Sequence, residues 1–204
     1  MPKGPTKRRP QTRAALLSAA LEVFAELGFQ SATIEQICDR AGYTRGAFYS
    51  NFSSKEELFL ALFDAHSDAV LTRLRERIDG LGKDGLTLDD LAELVSRIDP
   101  SERDWYLVTT EFTLHAIRDP QAAWLLARHD ARLRAELTGA VTAFLAAAGR
   151  ELTVDAEQVS RLLIALREGG LAQSYVEPDQ LPPGQLERDF VGPLLAALSR
   201  PTTG

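Results

Sequence analysis

The 204 residues carry 23 Lys and Arg against 29 Asp and Glu, a net charge of −6, with 45% hydrophobic and 25% charged side chains; this is the balance of a globular chain able to bury a core. Apolar runs end after a few residues, far short of the roughly 20 that a membrane span requires, and residues 1–13 combine charge and proline without the apolar stretch of a secretory leader, so a cytoplasmic protein with no membrane association is expected. Cys38 is the single cysteine, which excludes an intramolecular disulfide or a multi-cysteine zinc site; with Ile34, Ile37 and Ala41 at helical spacing it reads as a core thiol.

Charge is unevenly placed. Up to Lys55, Lys3, Lys7, Arg8, Arg9, Arg13, Arg40, Arg45 and Lys55 outnumber Glu22, Glu26, Glu35 and Asp39 by four, leaving ten net negative charges on the rest. A basic head on an acidic body suits a protein that meets phosphates at one end only. Residues 1–10 are expected to form a flexible basic arm, either a minor-groove contact or a plain electrostatic tail. From Thr12, Leu17, Ala20, Leu21, Phe24 and Leu27 fall on one helical face, and Gly28 stops the helix. Thr33 and Gln36 form a capping box for a second helix. Gly42-Tyr43-Thr44 then breaks the pattern, and Thr44 caps a third, short helix reaching about Asn51. Two short helices around a Gly-containing turn read as a helix-turn-helix.

The run from Thr33 to Leu58, with Ala41-Gly42, Gly46, Phe48-Tyr49, Phe52 and Lys55 at fixed spacing, resembles the DNA-binding signature of the TetR family over roughly residues 11–60. Tyr43 and Asn51 depart from it, standing where members often carry a small aliphatic residue and histidine. The residues themselves support a groove-docked helix. Arg45 can donate a bidentate pair to guanine, with Ser50 and Asn51 reaching further base edges. Gly46 lets backbone approach DNA closely. Thr33, Thr44 and Tyr49 offer hydroxyls and Lys55 an ammonium to phosphates, and Tyr43 lies in the turn between the helices. Thr33 and Thr44 are caps in any case.

Ser54 and Glu57 give a second capping box, opening a helix to about Ile78. A Gly-rich loop follows over 79–85, then helices over 87–98, 102–118, 120–148, 155–176 and 186–199, with Pro120 at a first helical position. No segment alternates as a strand should, so the chain reads as all-α: a DNA-binding domain over 11–53 and a helical ligand-binding and dimerisation domain over 54–204. The TetR resemblance implies a homodimer through the last two helices, pointing to Leu163, Leu166, Gly170, Leu194 and Leu198 as interface. It also implies a cavity for a small-molecule effector among the inner helices. Candidate lining residues are Phe63, His66, Trp105 and Phe112, with His115, Trp124 and Phe144. The effector is expected to be mostly apolar or aromatic. The histidines are His66, His115 and His129, with no phosphate loop, metal-ligand cluster or nucleophile elbow; no enzyme, metal or cofactor is expected. The expected function is regulation of transcription on a palindromic duplex operator, repression by default, with activation or a protein-binding helical module as alternatives.

Overall fold

Short-range hydrogen bonds set the helix boundaries. In the computed structural model, which describes residues 8–80, 85–99 and 102–202, the helices are α1 (Arg8–Leu27), α2 (Ile34–Ala41), α3 (Arg45–Tyr49), α4 (Lys55–Gly80), α5 (Leu88–Ser96), α6 (Glu102–Arg118), α7 (Pro120–Ala147), α8 (Ala156–Val176) and α9 (Gln185–Leu198). Thr33, Thr44, Thr87 and Asp155 each accept from the backbone N–H three residues on, supplying the N-caps of α2, α3, α5 and α8. At α4 the box is displaced: Glu57 N–H donates to Ser54 Oγ at 3.1 Å, but the Glu57 carboxylate accepts from Ser53 N–H at 2.7 Å.

Three expectations need correction. Helix α1 begins at Arg8, so Arg9, Pro10 and Arg13 lie on it and not on a free arm; proline is tolerated in a first turn, where its missing N–H has no intrahelical partner. Lys3 and Lys7, with the part of the expected 1–10 arm up to residue 7, lie outside the described residues. The buried face of α1 is Leu16, Ala19, Ala20, Val23 and Phe24, while Leu27 is exposed. Finally, the all-α reading holds for the described residues but for two three-residue strands: β1 (Arg150–Leu152) pairs antiparallel with β2 (Ser199–Pro201). Gly149, at φ 68°, turns the chain out of α7, and the Arg150 guanidinium donates to Ser199 Oγ and Ser199 O at 2.8 and 3.0 Å.

The described residues divide into two compact units, with α4 and α7 contributing to both. The first holds 8–66 and 102–129, so α6 belongs with the helix-turn-helix and the units do not part at the expected boundary after residue 53. Its core is aromatic. Phe59 and Phe112 stack at 3.8 Å, Phe29 meets Phe112 edge-on at 4.9 Å, and Phe24 lies 5.3 Å from Phe29. The second unit, 67–80, 85–99 and 130–202, packs Leu91, Leu94, Phe144, Val159, Val191 and Leu195 together. Gly192 brings α9 against α5, where a Cβ would lie 3.0 Å from Asp89 Oδ1. Buried Glu187 on α9 is paired with Arg167 on α8 at 3.2 Å, and Arg167 also donates to Val95 O at 2.9 Å. No helix among the described residues is long and apolar enough to cross a membrane.

Burial separates two of the aromatics expected at a ligand site. Phe112 is fully buried and Trp124 is 59% exposed. Phe112→Ala should therefore cost about 3–5 kcal/mol in chemical denaturation, and Trp124→Ala less than about 1 kcal/mol.

Candidate nucleic-acid interface

The turn between α2 and α3 is built from one left-handed residue and one cap. Gly42 has φ 71°, and Tyr43 N–H donates to Cys38 O at 2.9 Å, closing α2. Cys38 is buried and its thiol pKa is raised by that burial, which suits the core role expected of it. Thr44 then starts α3. Phe48 and Phe52 are buried beneath α3, and Phe48 meets Tyr49 edge-on at 5.3 Å. That anchoring leaves Thr44, Arg45, Gly46, Tyr49 and Ser50 exposed, with Tyr43 half-buried beside them.

The hydrogen bonds sort these residues by what they have left to offer. Arg45 and Tyr49 stand one turn apart on the exposed side of α3, close enough for the phenol oxygen to raise the guanidinium's pKa; the guanidinium carries five N–H donors. Gly46 is open on its outer side, where a Cβ would meet only Thr44 Oγ1, at 3.7 Å. No constraint within the chain demands glycine there. Thr44 accepts from Ala47 N–H at 3.2 Å and retains its hydroxyl proton. Ser50 donates its proton to Gly46 O at 2.8 Å, so only lone pairs face outward. Asn51, half-buried, donates to Ala47 O at 2.8 Å. Thr33 is engaged both ways, accepting from Gln36 N–H at 3.2 Å and donating to Gln36 Oε1 at 3.0 Å.

Lys55 is placed differently from the expectation. Its ammonium points inward, donating to Phe29 O at 2.6 Å, Gln30 O at 3.2 Å and Ala32 O at 2.9 Å, 4.6 Å from the Phe29 ring centre. Burial lowers its pKa. Three donors meet three carbonyls, which leaves nothing for a phosphate. Other basic residues are committed too. Arg40 bridges Glu22 and Glu26 at 3.0 and 2.7 Å, Arg9 donates to Ser50 O at 3.2 Å, and Arg13 lies over the Phe52 ring at 4.6 Å. The charge count of the head thus overstates the positive charge free to meet DNA.

The effector candidates are split. Phe63, His66, Trp105, Phe112 and His115 share the first unit; His66 stacks on Trp105 at 4.0 Å, Phe63 lies 5.6 Å from Trp105, and His115 is 5.8 Å from both Phe29 and Phe112. Phe144 sits in the core of the second unit, and Trp124 is a surface residue beneath Arg128. Among the interface candidates, Leu163, Leu166 and Leu198 pack on their own core, and a Cβ at Gly170 would meet Leu186 and Glu187 at 3.5–3.6 Å; Leu194 is half-buried. The exposed apolar side chains of α8 and α9 are instead Leu162, Val176 and Phe190.

Residues 16–62 match the model of the bacterial regulatory proteins of the tetR family, and residues 86–198 that of the BetI-type transcriptional repressor C-terminal domain. The chain is 29% identical over 180 residues to the HTH-type transcriptional regulator UidR of Escherichia coli K12, spanning 84% of this chain and 85% of that one. It is 33% identical over 118 residues to the transcriptional repressor AcnR of Corynebacterium glutamicum, covering 56% of each. Among solved structures, Salmonella enterica GusR superposes with a TM-score of 0.69 at 28% identity, covering 90% of this chain and 95% of that one. FadR of Bacillus subtilis, in complex with stearoyl-CoA, reaches 0.69 at 18% identity over 91% and 98%, a likeness of fold alone. With both of its halves matched, the chain belongs to the TetR family of DNA-binding transcriptional regulators.

Proposed function

We propose that the protein is a homodimeric repressor that sets one α3 from each subunit into successive major grooves of a palindromic operator and leaves it when an apolar or aromatic effector binds. The observation that carries the DNA reading is the exposed face of α3, where Arg45 and Tyr49 stand beside a glycine that no contact among the described residues requires. Repression is supported by the BetI-type repressor match over 86–198 and by the likeness to AcnR. Lys55 positions the loop ahead of α2 and is no phosphate contact.

Variants on this face should separate the roles. Arg45→Ala should lose about 1–3 kcal/mol at one base position and relax specificity there, while Lys55→Ala should lower stability and leave the salt slope of binding unchanged. Gly46→Ala should hold or raise stability by up to about 1 kcal/mol yet weaken operator binding. Binding titrations against specific and random duplexes, paired with melts, read all three; equal losses of Arg45→Ala on both duplexes would falsify its base-reading role.

One recognition helix covers too few base pairs for specificity, so two half-sites must be read together, about 34–36 Å or a multiple apart. The subunit contact we assign is the face of α8 and α9 bearing Leu162, Val176 and Phe190, with Leu194 at its edge; this face has no cover among the described residues. Phe190→Arg should yield a folded monomer by light scattering, because pairing would bury an unmatched charge, while Leu166→Arg should unfold the second unit, where Leu166 packs on the core.

The effector site we propose is the Phe63, His66 and Trp105 group, flanked by His129, which Asp64 holds at 2.7 Å. A lipophilic compound would part the imidazole–indole stack. In a Trp124→Phe background, a hit from a lipophilic panel should shift Trp105 emission and lower operator affinity 5–150-fold, with operator lowering its own affinity equally. A hit that shifts the emission with operator affinity unchanged refutes the coupling.

A further inference from the structure

The loop between α1 and α2 is held by charge on two sides. Its carbonyls at Phe29, Gln30 and Ala32 face the Lys55 ammonium, and its Phe29 N–H donates to Glu111 Oε2 on α6 at 2.6 Å. The second contact needs a particular backbone. Gly28 has φ 79°, and a Cβ there would lie 2.7 Å from both Glu111 carboxylate oxygens, so any other residue would be strained and would push the carboxylate off. Ala32 N–H closes the loop onto Gly28 O at 3.1 Å, and Thr33, the cap of α2, follows directly. The orientation of α2, and of α3 beyond it, is therefore referenced to α6 through one carboxylate.

The burial of Phe29 does not depend on this contact. The Phe29 ring is already buried among Phe24, Phe59 and Phe112, and Glu111 is an exposed residue whose place on the N–H a water molecule could take. What the carboxylate adds is direction toward α6: Lys55 holds the loop to α4, and an acceptor oxygen 2.6 Å from Phe29 N–H fixes the loop's angle against α6, where the ring contacts set only its distance. We propose that Glu111 is a positioning residue for operator binding, pinning the α1–α2 loop at the setting in which the recognition helices of a dimer match two half-sites. The proposal rests on the DNA-binding reading and concerns a residue that touches no DNA in it.

The test compares full-length E111A, E111D and E111Q with wild type on the palindrome that wild type selects, and on the same palindrome with one base pair inserted between half-sites. E111Q keeps an acceptor oxygen at the same reach and should bind as wild type does. E111D keeps the charge but withdraws it by one methylene, and should behave as E111A: at least tenfold weaker on the selected palindrome, with discrimination against the altered spacing reduced. The salt slope should be the same for all four, since phosphate contacts are unchanged. A merely structural role would lower the melting temperature and leave the spacing preference intact. The proposal fails if E111A and E111D bind and discriminate like wild type, or if E111D retains binding while E111Q loses it. Should E111A not fold, the E111D and E111Q pair decides alone. A wild-type protein that selects no duplex overturns the DNA reading and this proposal together, whereas normal wild-type selection with unaltered E111A and E111D overturns only the pin.

Discussion

An ammonium group withdrawn from water must find acceptors for all its protons or lose its charge, and the carbonyls past the end of a helix must find donors. Lys55 and the loop from Phe29 to Ala32 meet both needs at once, with three N–H donors on three carbonyls and the Phe29 ring beneath the charge. The arrangement ties the first residue of α4 to the segment that launches α2. Since the turn and α3 follow α2 within three residues, the direction of the recognition helix descends from this contact. An arginine could not replace the lysine, because its planar fork does not fit three carbonyls converging on a point.

The head then shows a division of labour among its polar groups. Most are turned inward to hold backbone: Thr33 on Gln36, Ser50 on Gly46, Asn51 on Ala47, Arg9 on Ser50 and Lys55 on the loop. Arg40 is neutralised by Glu22 and Glu26, which it holds below the ordinary carboxylate range in the case of Glu26. The few outward donors, Arg45 and the hydroxyls of Thr44 and Tyr49, stand on a scaffold fixed by Phe48 and Phe52. Fixing a few donors rigidly favours affinity as well as specificity, since less conformational freedom remains to be lost when DNA arrives.

Legibility in the sequence followed the range of the interaction. Caps were legible where donor and acceptor sit three residues apart, as for Thr33 with Gln36 and Thr44 with Ala47. The helix-turn-helix and the residues exposed on it were legible for the same reason. The inward turn of Lys55 was not, since its partners lie 23–26 residues earlier and are backbone atoms of no particular residue type. Glu111 to Phe29 spans 82 residues, and a backbone N–H again leaves no trace in composition. The strands β1 and β2 are three residues each, too short to alternate, and their pairing joins residues 49 apart. In α1, apolar residues occupy a wide arc from Leu16 to Phe24, so the period announces a helix without choosing its buried edge.

The same ambiguity governs the last two helices, with a larger consequence. A helix that must bury one side in its own subunit and another in a partner needs apolar residues over more than half its circumference, and periodicity cannot then assign either side. Packing resolves it for α8: Val159, Leu163, Leu166, Gly170 and Leu171 face inward, while Leu162, Gly169 and Val176 are left on an adjacent stripe. Gly169 has nothing within 4 Å of its would-be Cβ, whereas Gly170 is lined by Leu186 and Glu187. Two consecutive glycines thus serve neighbouring stripes of one helix, about 100° apart. Gly170 admits α9 closely, and Gly169 leaves on the uncovered stripe the kind of gap that a second backbone can enter. On α9, Phe190 is exposed next to Val191, which is buried. Leu162 and Val176 on α8 and Phe190 on α9 are large, apolar and exposed, the kind of surface that a second subunit would cover in the pairing proposed above.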